Sequence, residues 1–81
     1  MRRVKVNFPK SGMGIEEGTI ARWVKAVGDK VKQGEVIVEI ETAKALQEVE
    51  APVSGTLVEV LAGVGETPKV NSALAVIAWD G

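Results

Sequence analysis

Moved along itself by 37 residues, the chain falls into register with its own second half. Gly18-Thr19-Ile20 lands on Gly55-Thr56-Leu57, and Val27-Gly28-Asp29 lands on Val64-Gly65-Glu66. Lys32 meets Lys69, Ile37 meets Leu74, and Ile40 meets Ile77. Gly34 meets Asn71, and these two residue types best tolerate a positive φ. Turn residues and apolar positions agree together, so the similarity is a structural repeat rather than shared composition. Each half reads as strand, turn, short extended piece, turn, strand. Two such halves imply two small sheets related by a quasi-two-fold axis and enclosing one core.

The local pattern supports strands throughout. Valine is frequent, the only aromatics are Phe8, Trp23 and Trp79, and nine glycines and three prolines interrupt the chain too often for a three-turn helix. Strands are expected at residues 4–8, 18–25, 36–41, 46–51, 56–61 and 73–78, with a loop at 9–16 and turns at 26–29, 33–35, 52–55 and 63–66. Regular short strands at this spacing indicate an all-β sandwich or flattened barrel, a single domain over residues 1–81. The expected core is Val4, Val24, Val36, Val38, Ile40, Val49, Leu57, Leu74, Val76 and Ile77. Ile20, Trp23 and Val60 have ambiguous parity, and Trp23 covers either the core or a sheet edge. Gly28, Gly34, Gly55, Gly65 and Asn71 read as turn residues without chemistry.

The side-chain inventory removes most catalytic mechanisms. There is no cysteine, hence no disulfide, thiolate nucleophile or thiolate metal site, and no histidine for acid–base work. No apolar run spans a bilayer, and the basic N-terminus leads into a strand rather than an apolar signal segment, so a cytoplasmic protein without membrane association is expected. The net charge of −1 hides an asymmetry: residues 1–32 carry +5 and residues 33–81 carry −6. Between Gln33 and Pro68 the one cation is Lys44, among seven glutamates. The overall charge and the lack of interleaved exposed aromatics disfavour nucleic-acid binding. No loop has the oxygen-rich spacing of a calcium site.

Residues 36–51 place that lysine. With Ala43 and Lys44 as a two-residue loop, Thr42 pairs with Ala45, Glu41 with Leu46, Ile40 with Gln47, Glu39 with Glu48, and Val38 with Val49. One face then holds Val36, Val38, Ile40, Val49 and Ala51, and the other Glu39, Glu41, Glu48 and Glu50. A three-residue loop mixes apolar and charged groups on both faces, because a one-residue slip turns every side chain over. The pattern therefore selects the shorter loop and sets Lys44 at an exposed tip. Ala43-Lys44 is a poor choice for such a turn, which favours Asn-Gly because it needs positive φ. Strain is expected there, and breaches of local rules often mark functional positions. An exposed turn lysine by itself is ordinary.

Glu39-Ile40-Glu41-Thr42-Ala43-Lys44-Ala45 with Glu48-Val49-Glu50-Ala51-Pro52-Val53-Ser54-Gly55 resembles the lipoyl domains of 2-oxo acid dehydrogenase complexes, in particular those of the dihydrolipoamide acyltransferase component. Residues 17–23 and 28–35 fit the same family, and the resemblance covers residues 4–78. It implies a flattened barrel (a barrel-sandwich hybrid) of two four-stranded antiparallel sheets. It implies lipoic acid joined by an amide bond to Lys44, flanked by Glu41, Thr42, Ala43 and Ala45. It also implies a swinging arm that visits a thiamine-diphosphate-dependent dehydrogenase, an acyltransferase core and dihydrolipoamide dehydrogenase, after modification by a lipoate ligase or lipoyl transferase. Such a domain is a carrier, not an enzyme, and a monomer when isolated. The reactive sulfur arrives with the cofactor. The family often has Asp where Ala43 stands, which leaves the partner dehydrogenase open. The loop at residues 9–16 contributes to partner choice in related domains. The glutamates around the tip are either a recognition surface for partner enzymes or a plain solvated face.

Two other readings remain at this level. A biotinyl carrier shares the architecture, but its target lysine usually lies between methionines, whereas Ala43 and Ala45 flank Lys44 and the methionines are Met1 and Met13. An unmodified β-sandwich interaction domain requires no adduct and no Lys44.

Overall fold

A computed structural model describes residues 2–9 and 16–79; the part of the 9–16 loop at 10–15 lies outside the described residues. The described chain forms seven strands: β1 (Arg2–Asn7), β2 (Thr19–Trp23), β3 (Lys30–Val31), β4 (Val36–Glu41), β5 (Leu46–Glu50), β6 (Gly55–Val60) and β7 (Ala73–Trp79). All pairings are antiparallel, in one sheet ordered β1-β7-β6-β3 and a second ordered β2-β4-β5. The second sheet therefore has three strands rather than four. Its fourth place is held by an isolated bridge between Glu17 and Lys69.

The repeat governs the hydrogen bonds as well as the strands. Gly28 N–H donates to Leu57 O and Gly65 N–H to Ile20 O, each turn closing on the strand of the other half. Leu57 N–H returns to Asp29 O, and Ile20 N–H to Glu66 O. Gly34 N–H reaches Ala51 O as Asn71 N–H reaches Phe8 O. The positive φ values follow the same pairs, 98° at Gly28 with 89° at Gly65, and 87° at Gly34 with 72° at Asn71. Short polar side chains tolerate this region, which is why asparagine can replace glycine at the fourth position.

Ile20, Val31, Ile37, Val38, Ile40, Val49, Leu57, Leu74 and Ile77 form the core with Val6 and Phe8. Several sequence expectations need correction here. Ile37 is absent from the expected core, and strict alternation with Val36 and Val38 inward would turn it outward, yet it is fully buried beside Val38. The cause is a β-bulge: Val36 pairs with Glu50 and Val38 with Val49, leaving Ile37 as the extra residue. Leu74 is the extra residue at the equivalent bulge, where Val6 pairs with Ala75 and Asn7 with Ala73. Val36 is only half-buried at the start of β4, and Val4 is half-buried within β1, which is an edge strand. Val24 is 40% exposed, because β2 stops at Trp23 and the chain bends away with the Val24 N–H on Ile37 O. Gly55 is not a turn residue but opens β6, paired with Val31 and Trp79. Trp23 is half-buried against the core and donates its indole N–H to Ala62 O at 2.7 Å.

The two sheets share an end. Gly55 pairs with Trp79, and the neighbouring Ser54 hydroxyl accepts the Gln33 N–H. Gln33 adjoins Gly34, which closes on Ala51 at the base of the β4–β5 hairpin. The Arg2–Trp79 pair therefore lies at the base of that hairpin, and its tip lies at the other end of the molecule.

Candidate functional site

The β4–β5 ladder has the register the binary pattern requires: Glu41 with Leu46, Ile40 with Gln47, Glu39 with Glu48, and Val38 with Val49. Val38, Ile40 and Val49 point into the core and fix the hairpin on the body of the domain. Thr42, Ala43, Lys44 and Ala45 form the tip; Thr42 is half-buried and the other three are exposed. Lys44 takes part in neither ion pair of the described residues, which join Arg22 to Glu39 and Lys25 to Glu35. Its amine is thus free for acylation, which needs an accessible nucleophile.

The turn achieves this without the expected strain. Neither Ala43 nor Lys44 has a positive φ. Thr42 supplies the alternative. Its backbone N–H donates to Ala45 O at 3.0 Å, and its hydroxyl donates to the same oxygen at 2.7 Å. The hydroxyl also accepts the Ala45 N–H at 3.2 Å and the Lys44 N–H at a longer 3.4 Å. One hydroxyl offers one donor and two acceptor sites, and all three are used. Local side-chain bonds of this kind compete with the backbone pattern of an ordinary hairpin turn, and serine and threonine are suited to them. The sequence placed Thr42 beside the site but gave its hydroxyl no role. The signal was a threonine two residues before the lysine in a turn lacking glycine.

The outer face is acidic but not uniformly so. Glu41, Glu48 and Glu50 are exposed. Glu39 is half-buried and paired with Arg22 at 3.3 Å, its direct neighbour across the β2–β4 ladder. Arg22 thus neutralises the part of the face furthest from β5, a contact missed by reading the hairpin alone. Leu46 shares this face beside Glu41 and is 53% exposed, an apolar side chain next to the lysine turn.

An all-β body with an internal two-fold that presents one amine on a hairpin defines a carrier module for a covalently attached group. The chain belongs to the biotin/lipoyl attachment family, whose model, described as "Biotin-requiring enzyme", matches residues 4–77. Within that family the chain falls with lipoyl domains. The solution structure of the lipoyl domain of the 2-oxoglutarate dehydrogenase complex from Azotobacter vinelandii superposes with a TM-score of 0.71 at 31% identity, covering all of both chains. The chain is 44% identical over 79 residues to the dihydrolipoyllysine-residue acetyltransferase component of the pyruvate dehydrogenase complex of Rhizobium meliloti, covering 96% of this chain and 18% of that protein. It is 47% identical over 79 residues to the pyruvate dehydrogenase E1 component subunit beta of the same organism, covering 96% of this chain and 17% of that one. It therefore spans less than a fifth of the length of these curated relatives. A carboxylase also shares the fold: Kluyveromyces lactis urea carboxylase superposes at TM-score 0.81 with 26% identity, over 96% of this chain and 6% of that one.

Proposed function

We propose that Lys44 is the attachment point for lipoic acid and that the domain carries acyl groups and electrons among the enzymes of a 2-oxo acid dehydrogenase complex. The observation that carries this reading is the exposed Lys44 on a hairpin whose register is locked by buried Val38, Ile40 and Val49. When bound, the lipoyl group supplies a disulfide that can be reduced, acylated and reoxidised. The chain supplies presentation. Its body holds the tip in place, the tip keeps the amine clear of the core, and tethering raises the local concentration of the arm at each enzyme it visits. Amide formation also removes the lysine charge, taking the net charge from −1 to −2 and leaving the tip flanked by glutamates.

The partners in this reading are a lipoate ligase or lipoyl transferase, a thiamine-diphosphate-dependent dehydrogenase, an acyltransferase and dihydrolipoamide dehydrogenase, with the domain itself non-catalytic. Relatives include both acyltransferases and a dehydrogenase subunit, so the domain type occurs in more than one component. Lipoate is favoured over biotin by Ala43 and Ala45 on either side of the lysine and by the full-length agreement with a lipoyl domain.

The test is intact-mass measurement after incubation with lipoate, ATP and lipoate ligase, with a biotin ligase reaction in parallel and Lys44→Arg as control. One lipoyl adduct is expected on the wild type and none on Lys44→Arg. An adduct that survives the substitution, or efficient biotinylation instead, overturns the assignment.

A further inference from the structure

The chain contains seven lysines, and Lys5, Lys30, Lys32 and Lys69 are exposed like Lys44. Exposure therefore does not single out Lys44 for a modifying enzyme; the shape of its turn must. That turn is unusual in its chemistry. Two-residue hairpin loops take positive φ so that their twist matches the flanking strands, and right-handed turns splay the strands unless something else closes them. Ala43 and Lys44 both avoid positive φ, so the closure must come from elsewhere. The Thr42 hydroxyl provides it, joined to Ala45 O, Ala45 N–H and Lys44 N–H.

We infer that Thr42 is a positioning residue for modification: its hydroxyl holds the Lys44 turn in the one conformation that the ligase reads. This rests on the assignment of lipoylation to Lys44. The hydroxyl makes no contact with the amine and acts through the backbone of Lys44 and Ala45. Its loss leaves the amine exposed and chemically unchanged, but spreads the tip over several conformers. If only a fraction of the molecules present the competent turn, the apparent affinity falls in proportion to that fraction, while turnover at saturation is untouched. Each lost hydrogen bond of ordinary net worth shifts such an equilibrium about fivefold, and losing all three shifts it about a hundredfold; a turn about 95% competent then falls to about 15%, which raises KM about sixfold.

Steady-state lipoylation of wild type, Thr42→Ser, Thr42→Val and Lys44→Arg, with lipoate, ATP and lipoate ligase, tests this. Amide hydrogen exchange and thermal midpoints are measured on the same proteins. Thr42→Val keeps the branched shape and loses the hydroxyl; Thr42→Ser keeps the hydroxyl. Expected are a KM for the domain raised about five- to tenfold in Thr42→Val with kcat within twofold of wild type, and near-wild-type kinetics in Thr42→Ser. Faster exchange at Lys44 and Ala45 is expected only in Thr42→Val. A Thr42→Val protein with wild-type KM overturns the inference, as does a fall confined to kcat or a failure of Thr42→Ser to restore the wild-type value. Wild type that takes no lipoyl group at Lys44 overturns the underlying assignment instead, a result distinct from modification that ignores Thr42.

Discussion

Gly18 and Gly55 occupy equivalent places in the repeat, and neither needs glycine for its φ; both need it for space. Gly55 is the sharper case. A methyl group there runs into the carbonyl oxygen of Ala78, and it comes within 2.9 Å of that carbonyl carbon and 3.0 Å of the Ile77 Cγ2. Ala78 and Ile77 belong to β7, which is bonded on one side to β1 and on the other to β6. The obstructing atoms are backbone in a central strand, so relief requires moving two ladders at once. Overpacking costs about 1–3 kcal/mol where side chains can adjust, and a backbone obstacle places Gly55→Ala at about 3 kcal/mol. In a domain of this size that lowers the thermal midpoint by roughly 12–24 °C. At Gly18 the nearest atoms are Ile40 Cγ2 at 2.5 Å and, at 3.2 Å, Glu41 O and Phe8 Cζ. Part of this can yield, so Gly18→Ala costs about 1–2 kcal/mol. Gly28 has open space but a φ of 98°, and Gly28→Ala costs about 1 kcal/mol through conformation alone. Urea titrations followed by the fluorescence of half-buried Trp23 and Trp79 rank the three. If Gly55→Ala destabilises no more than Gly28→Ala, close approach to β7 is not why glycine stands there.

Two further outcomes are expected. Ile37→Ala costs about 2–5 kcal/mol in the same titration, because the bulge buries Ile37 fully. Val36→Ala, at a half-buried position, costs clearly less, and the reverse order argues against the bulge. The Glu35 carboxyl is held below its ordinary value of 4.5, first by the hydrogen bond from the Lys32 N–H at 3.1 Å and further by Lys25 at 3.3 Å. The native carboxyl then takes up its proton at lower pH than the unfolded one. Its contribution is complete above the unfolded value and disappears as pH falls through the native one. Urea midpoints measured from about pH 6 down to about pH 3 should therefore decline less steeply in Glu35→Gln than in wild type; parallel declines exclude Glu35 as a source.

The sequence carried the hairpin register from the Val38–Val49 pair to the tip, because four glutamates and the apolar residues opposite them select a two-residue over a three-residue loop. It also carried the repeat, down to the exchange of Gly34 for Asn71. What it concealed was set by long-range geometry. Strict alternation cannot announce a bulge, so Val36 was expected in the core and Ile37 was not. A glycine beside a Pro-Val-Ser segment looks like a turn, and only the approach of β7 shows that Gly55 lacks a side chain for want of room. At the site, glycine-based turn rules placed strain on Ala43 and Lys44 that Thr42 relieves. The exposed place of Lys44 at the tip was legible from the register, but the hydroxyl bonded within its turn was not, since its partners are backbone atoms.

The repeat also accounts for where the lysine stands. The operation that carries β4 onto β7 carries the Glu41–Leu46 pair onto the Ala78–Arg3 pair, one step from the Arg2–Trp79 pair, where no turn joins the strands. These two places lie at opposite ends of the molecule, because Gly55 and Ser54 tie the Trp79 end to the base of the hairpin. A domain built this way keeps Lys44 at the pole away from the Arg2–Trp79 pair. The charge follows this axis only at its two extremes: Arg2 and Arg3 lie at the far end of β1 and Glu41 lies exposed beside the tip, while Lys5 lines one groove with Glu48 and Glu50. If modification removes the Lys44 charge, the carboxylates beside the tip would attract a basic surface on a partner and orient the domain tip-first. Such steering acts on encounter rates and weakens as salt is added. Reversing Glu41 and Glu48 to lysine should therefore slow reductive acylation most at low ionic strength. Equal rates for the two proteins across a salt series reduce the acidic face to a solvated surface.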